Sequence, residues 1–175
     1  SKWGRNRVYN YFVNGEAASY SYAERTYEDF LFSNDADTWY EEFADRVGFV
    51  VTRDLPHLGL IPASRVQSTL HNRFGSATIS NIGGVGHFRA MFATEDGARK
   101  VFRVVPGATI RGPAPEDTTR VRLVADVSIP GAEFEYVRRA TVTDGRFEVT
   151  VANPGTYRIG PAGTTVEVTE RMVQA

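Results

Sequence analysis

At 175 residues the chain can hold one domain, or two small ones sharing an interface, and it is too short for a large catalytic scaffold. Its 42% hydrophobic content can sustain a packed core, while a net charge of −1 provides no uncompensated basic surface for nucleic acid. The absence of cysteine excludes disulfides, a thiolate nucleophile and Cys-ligated zinc.

In chain order, Arg5 to Val13 alternates Val8, Asn10 and Phe12 against Tyr9, Tyr11 and Val13, which predicts a strand closed by Asn14-Gly15. Residues 16–33 are aromatic without a clean period and read as a loop leading into a short helical turn. Asp37 is expected to cap a helix that carries Trp39, Phe43 and Val47 on one face and stops at Gly48. Phe49 to Thr52 follows as a short buried strand. Ser64 to Gln67 has capping-box spacing, and Val66, Leu70 and Phe74 then line one face of a second helix before Gly75. After Gly83-Gly84-Val85-Gly86, strands over His87 to Ala93 and Arg99 to Val105 flank the turn pair Asp96-Gly97 and form a hairpin. In the first of these, Phe88, Ala90 and Phe92 share a face.

From Pro106 the texture becomes all-β, with short strands expected over 109–111, 120–129, 134–142, 146–151, 156–159 and 164–169. The fold class is therefore α+β: a small α/β layer over 1–106, followed by an all-β sandwich module over 107–175. The piece from Thr143-Asp144-Gly145 to Pro154-Gly155-Thr156-Tyr157 resembles transthyretin-like and carboxypeptidase-regulatory sandwiches.

No catalytic residue is assigned from these patterns, because no nucleophile, base and orienting group can be named together. The Gly83–Gly86 stretch lacks a following Lys-Ser or Lys-Thr and runs into a strand, so it reads as a turn and not a phosphate cradle. His57, His71 and His87 have no local metal spacing and take ordinary surface or half-buried roles. The pairs Glu41-Glu42, Glu95-Asp96 and Glu116-Asp117 read as solvated charge, and Arg138-Arg139 points to opposite faces of one strand. The opening run differs: Trp3, Arg5, Asn6, Arg7, Tyr9 and Asn10 place aromatic rings beside guanidinium and amide groups. Such groups stack on sugars or peptide planes and hydrogen-bond their edges.

That run, taken with Val47 to Thr52, Gly86 to Ala93 and Lys100 to Ala108, resembles the C-terminal soluble region of archaeal oligosaccharyltransferases of the AglB type, especially haloarchaeal ones. The family's Trp-Trp-Asp-Tyr-Gly motif grips the acceptor Ser or Thr of an Asn-x-Ser/Thr sequon. Here only Ser1-Lys2-Trp3-Gly4 stands near its place, without the Asp and Tyr. The abrupt opening reads as a piece of a longer chain.

The resemblance implies a non-catalytic, extracytoplasmic part of a membrane glycosyltransferase for protein N-glycosylation. Its partners are then the membrane-embedded portion of the same protein and an acceptor polypeptide or glycan, with no nucleic acid. No cofactor belongs to residues 1–175, and a divalent metal is expected only in the membrane portion. Trp3, Arg5, Asn6, Arg7, Tyr9 and Asn10 are the acceptor-binding candidates. The alternative is a non-catalytic cell-surface or carbohydrate-binding β-sandwich module.

Overall fold

The computed structural model describes residues 26, 29–30, 33, 35–53, 84–96 and 99–175. The expected strand over Arg5 to Val13 and the expected helix from Ser64 to Phe74 lie outside them.

Helix α1 spans Ala36–Phe43, and its cap is Asp35 rather than the expected Asp37. Asp35 Oδ1 accepts from the Thr38 N–H at 3.0 Å, and its Oδ2 accepts from the Thr38 hydroxyl at 2.8 Å. Asp37 instead sits in the first turn, where its charge faces the positive end of the helix. Trp39 and Phe43, four residues apart, meet Phe30 with ring centroids 5.5 and 5.0 Å away. Val47 lies past the last helical residue yet still packs on this aromatic cluster.

Strands β1 (Phe49–Arg53), β2 (Phe88–Ala93) and β3 (Arg99–Val104) form an antiparallel sheet in the order β1-β3-β2. Val50, Phe102 and Ala90 stand opposite one another and are buried in the cluster that also holds Phe30, Phe43 and Phe88. The expectation that Phe49 to Thr52 is a buried strand is corrected for one face: Val50 is buried, but Phe49 is 45% exposed, as antiparallel sheets allow on one side. A bulge corrects the reading of β2 as well. Its register passes from Ala90↔Phe102 to Phe92↔Val101, so the extra residue turns Phe92 outward and Ala93 inward.

The six strands expected beyond Pro106 all form: β4 (Ala108–Pro113), β5 (Arg120–Ile129), β6 (Ala132–Thr143), β7 (Arg146–Val151), β8 (Gly155–Ile159) and β9 (Thr164–Val168). They make one hydrogen-bonded sheet in the order β4-β7-β6-β5-β8-β9, where two facing sheets had been expected. The sheet is nearly closed, because the long β5–β6 hairpin serves both halves. A short helix unmarked in the sequence, α2 (Glu170–Gln174), follows β9 and is capped by Thr169. Its Val173 is fully buried, and the Val173 carbonyl accepts from the Gly107 N–H at 3.0 Å, so α2 links one sheet edge to the residue preceding the other.

The core of this sheet includes Val105, Leu123, Phe147, Val151, Tyr157 and Val173. Tyr157, wholly buried, donates its hydroxyl to the Asn153 carbonyl at 2.6 Å, which pins the turn into β8. Burial pushes that hydroxyl well above the usual phenol range. The chain is thus β-rich, with nine antiparallel strands among the described residues.

Two glycines separate backbone strain from close approach. At Gly131, in the β5–β6 turn, φ is +86° and a Cβ would stand 1.8 Å from the Ala93 carbonyl oxygen. At Gly145, φ is +70° and a Cβ would meet nothing within 4 Å. Gly131→Ala is therefore expected to lower stability by about 2 kcal/mol or more, and Gly145→Ala by about 1 kcal/mol. Urea midpoints of the two variants check the order.

Candidate functional site: the seam between the two sheets

The acceptor-binding candidates Trp3, Arg5, Asn6, Arg7, Tyr9 and Asn10 lie outside the described residues, as do His57 and His71. What the described residues bring together is a polar seam where the chain from Gly84 to His87 crosses the six-stranded sheet. The Gly84 N–H donates to the Val137 carbonyl at 2.6 Å. Arg138 donates from Nη1 to the Gly84 carbonyl at 2.6 Å and from Nε to the Thr150 carbonyl at 2.9 Å. The Tyr136 hydroxyl donates to the Val85 carbonyl and accepts from the Ala152 N–H at 3.1 Å.

This explains the glycine run better than a simple turn does. A Cβ at Gly84 would lie 2.5 Å from the Tyr136 ring, so the backbone reaches the sheet only because that position has no side chain. Arg138 and Arg139 do part to opposite faces: Arg138 is half-buried in the seam and Arg139 is exposed. The split rules out a joint basic patch. The same split frees one guanidinium to satisfy buried carbonyls.

Apolar and ionic contacts extend the seam. Ile129 and Phe134, near the tip of the β5–β6 hairpin, pack against the cores of both sheets. The Ala93 N–H donates to the Pro130 carbonyl at 3.0 Å. Arg89 on β2 pairs with Glu170 on α2. The hydrogen bond from Arg89 holds the Glu170 carboxyl below the usual range.

His87 closes the α1 side of the seam. Its ring stacks on Tyr40 at 4.1 Å and 11°, and Nε2 lies 3.5 Å from Asp37 Oδ1. It is half-buried, as expected from sequence. Glu41, Glu42, Glu95, Asp96, Glu116 and Asp117 are exposed.

On the outer surface of the six-stranded sheet, Arg158 bridges Asp126 at 2.7 Å and Glu135 at 3.6 Å. The Arg158 hydrogen bond holds the Asp126 carboxyl below its usual value. Among the described residues no three His, Asp or Glu side chains converge to hold a metal ion. The seam carries no nucleophile beside a base. Its polar groups are spent on backbone carbonyls and amides, and their chemical work is to hold two sheets in one geometry.

Tyr136→Phe leaves the Val85 carbonyl and the Ala152 N–H without this partner, with an expected cost of about 1–3 kcal/mol by urea denaturation. Glu170 adds a pH dependence of known sign. Its folded pKa lies below the ordinary 4.5, so the stability it contributes is full above that value and is lost as pH falls through the folded pKa. Glu170→Gln is expected to flatten the acid limb of the melting temperature below about pH 5. An unchanged limb would contradict this.

Residues 107–175 match the family described as archaeal glycosylation protein B long peripheral domain. AglB from Archaeoglobus fulgidus, solved in complex with an inhibitory peptide and a dolichol-phosphate, superposes with a TM-score of 0.61 over 83% of this chain, at 14% identity. The chain spans only 32% of that protein, and at this identity the likeness shows the fold. The Archaeoglobus fulgidus oligosaccharyltransferase solved with Zn and sulfate gives a TM-score of 0.37 at 16% identity, over 80% of this chain and 20% of its own. No curated protein sequence matches the chain. Residues 107–175 thus match the AglB long peripheral domain family, and the fold over 83% of the chain is similar to that of AglB from Archaeoglobus fulgidus.

Proposed function

We propose that the chain is the extracytoplasmic soluble part of an oligosaccharyltransferase-like membrane glycosyltransferase that acts in protein N-glycosylation, and that it is itself non-catalytic. The observation that carries this reading is the family match over residues 107–175. The fold likeness to AglB, whose solved complex contains a peptide and a dolichol-phosphate, supports it. The seam is in keeping with it: Arg138 and Tyr136 are turned onto backbone groups.

In this reading the catalytic carboxylates and a divalent metal belong to the membrane-embedded portion of the same protein. Among the described residues no helix is long and apolar enough to cross a membrane. Residues 1–106 act as a central α/β unit, and 107–175 as the peripheral β module fixed to it through the seam. Trp3, Arg5, Asn6, Arg7, Tyr9 and Asn10 bind the acceptor, with the Trp3 ring stacking and the polar groups setting orientation.

The test is glycan transfer from a lipid-linked donor to a peptide carrying an Asn-x-Thr sequon. The chain alone is expected to show no transfer, and the same chain joined to its membrane portion is expected to show it. Trp3→Ala in the joined protein is expected to raise the peptide KM with less effect on kcat. Transfer by the chain alone, or its absence from the joined protein, would refute the proposal.

A further inference from the structure

The three-stranded sheet has two chemically different faces. Its inner row is Val50, Phe102 and Ala90. On the outer side, the register sets Val51, Val101 and Phe92 opposite one another in one row, and Phe49, Arg103 and Arg89 in another. Arg99, two residues before Val101, shares this side.

Phe49 and Phe92 keep 45% and 42% of their surface exposed, and among the described residues the other large hydrophobic so exposed is Met172. None of the outward positions Phe49, Val51, Arg89, Phe92, Arg99, Val101 and Arg103 is acidic, in a chain whose 21 acidic residues slightly outnumber its 20 basic ones. Of the nearby carboxylates, Glu170 of α2 is bonded to Arg89 and also acts on Arg103 through its charge, while Glu95 and Asp96 occupy the turn beyond β2, with Asp96 accepting from the Thr94 hydroxyl.

A sheet face that alternates aromatic and aliphatic side chains with guanidinium groups matches the boundary of a bilayer. Rings and branched chains leave water at the acyl border, while guanidinium groups pair with lipid phosphates. We infer that this face rests on the anionic headgroup layer of the membrane, with Phe49, Val51, Val101 and Phe92 towards the acyl border and Arg99 and Arg103 on lipid phosphate. The inference relies on the proposed membrane-enzyme reading only for the presence of a bilayer beside the sheet.

Flotation of the chain with phosphatidylglycerol–phosphatidylcholine vesicles, compared with phosphatidylcholine alone, tests it without any glycan transfer, so its failure is separate from failure of the transfer assay. Binding is expected to the anionic vesicles and is expected to weaken with salt. Arg99→Gln with Arg103→Gln should weaken it about tenfold or more, and Phe49→Ser with Phe92→Ser should weaken it as well. The matched control, Arg111→Gln with Arg120→Gln on the other sheet, should leave binding unchanged. All three pairs alter exposed or half-buried positions, and circular dichroism confirms that each variant is folded. Absence of binding to anionic vesicles, or equal binding by the substituted and parent chains, overturns the inference. A dimer that is lost on Phe49→Ser with Phe92→Ser, in a chain that ignores vesicles, assigns the face to a second copy and likewise overturns it.

Discussion

The structure depends on a short piece of backbone that has no choice of partner. Where Gly84 and Val85 cross the six-stranded sheet, their peptide groups leave water, and a buried peptide group without a hydrogen bond is costly. Val137, Tyr136 and Arg138, three successive residues of one strand, supply the bonds. Successive side chains on a strand point to opposite faces, so this strand contributes differently at each position: a buried ring, a main-chain carbonyl and a guanidinium. The Tyr136 hydroxyl also accepts from Ala152, which ties the crossing chain to the end of β7. The relative placement of the two sheets therefore rests on hydrogen bonds formed in low dielectric and flanked by the Ile129 and Phe134 side chains shared between the cores.

Much of the β-rich half was legible because its signals are local. Asp144-Gly145 adopts positive φ at both residues and joins β6 to β7, as a two-residue hairpin turn requires. Tyr157 in its Pro-Gly-x-Tyr setting lies in the core. The errors arose where a long-range contact decides the outcome. Alternation in β2 gave no warning of the bulge that turns Phe92 outward, because a bulge is a property of the pair and not of one strand. One nearly closed sheet cannot be told from two facing sheets by strand spacing, since both bury alternate residues. The α2 helix spans only five residues, and its buried Val173 is held by tertiary packing more than by helix propensity.

The site shows the same division. Arg138 beside Arg139 was visible as a pair, and the strand period separated them correctly, but the carbonyls that claim Arg138 come from Gly84 and Thr150, remote in sequence. Gly83-Gly84-Val85-Gly86 carried the complementary signal. A run of small residues before a strand can mark a turn, a phosphate cradle or a close approach of backbone to a neighbour. Only the position of the Tyr136 ring decides for the last. The run from Trp3 to Asn10 stands on its residue chemistry and on the resemblance alone, and it lies outside the described residues.

Under the proposed function a rigid seam gives the β module a clear physical role, since a module free to swing could not present a fixed surface to the proposed membrane portion. Native-state amide hydrogen exchange is the most direct test of that rigidity. The Gly84, Val105 and Ala152 amides should exchange as slowly as those of Leu123 and Val124 in the sheet core, through global unfolding alone. If the seam amides exchange through fast local opening while Leu123 and Val124 stay protected, the two sheets are not held as one body, and the seam does not have the role assigned to it.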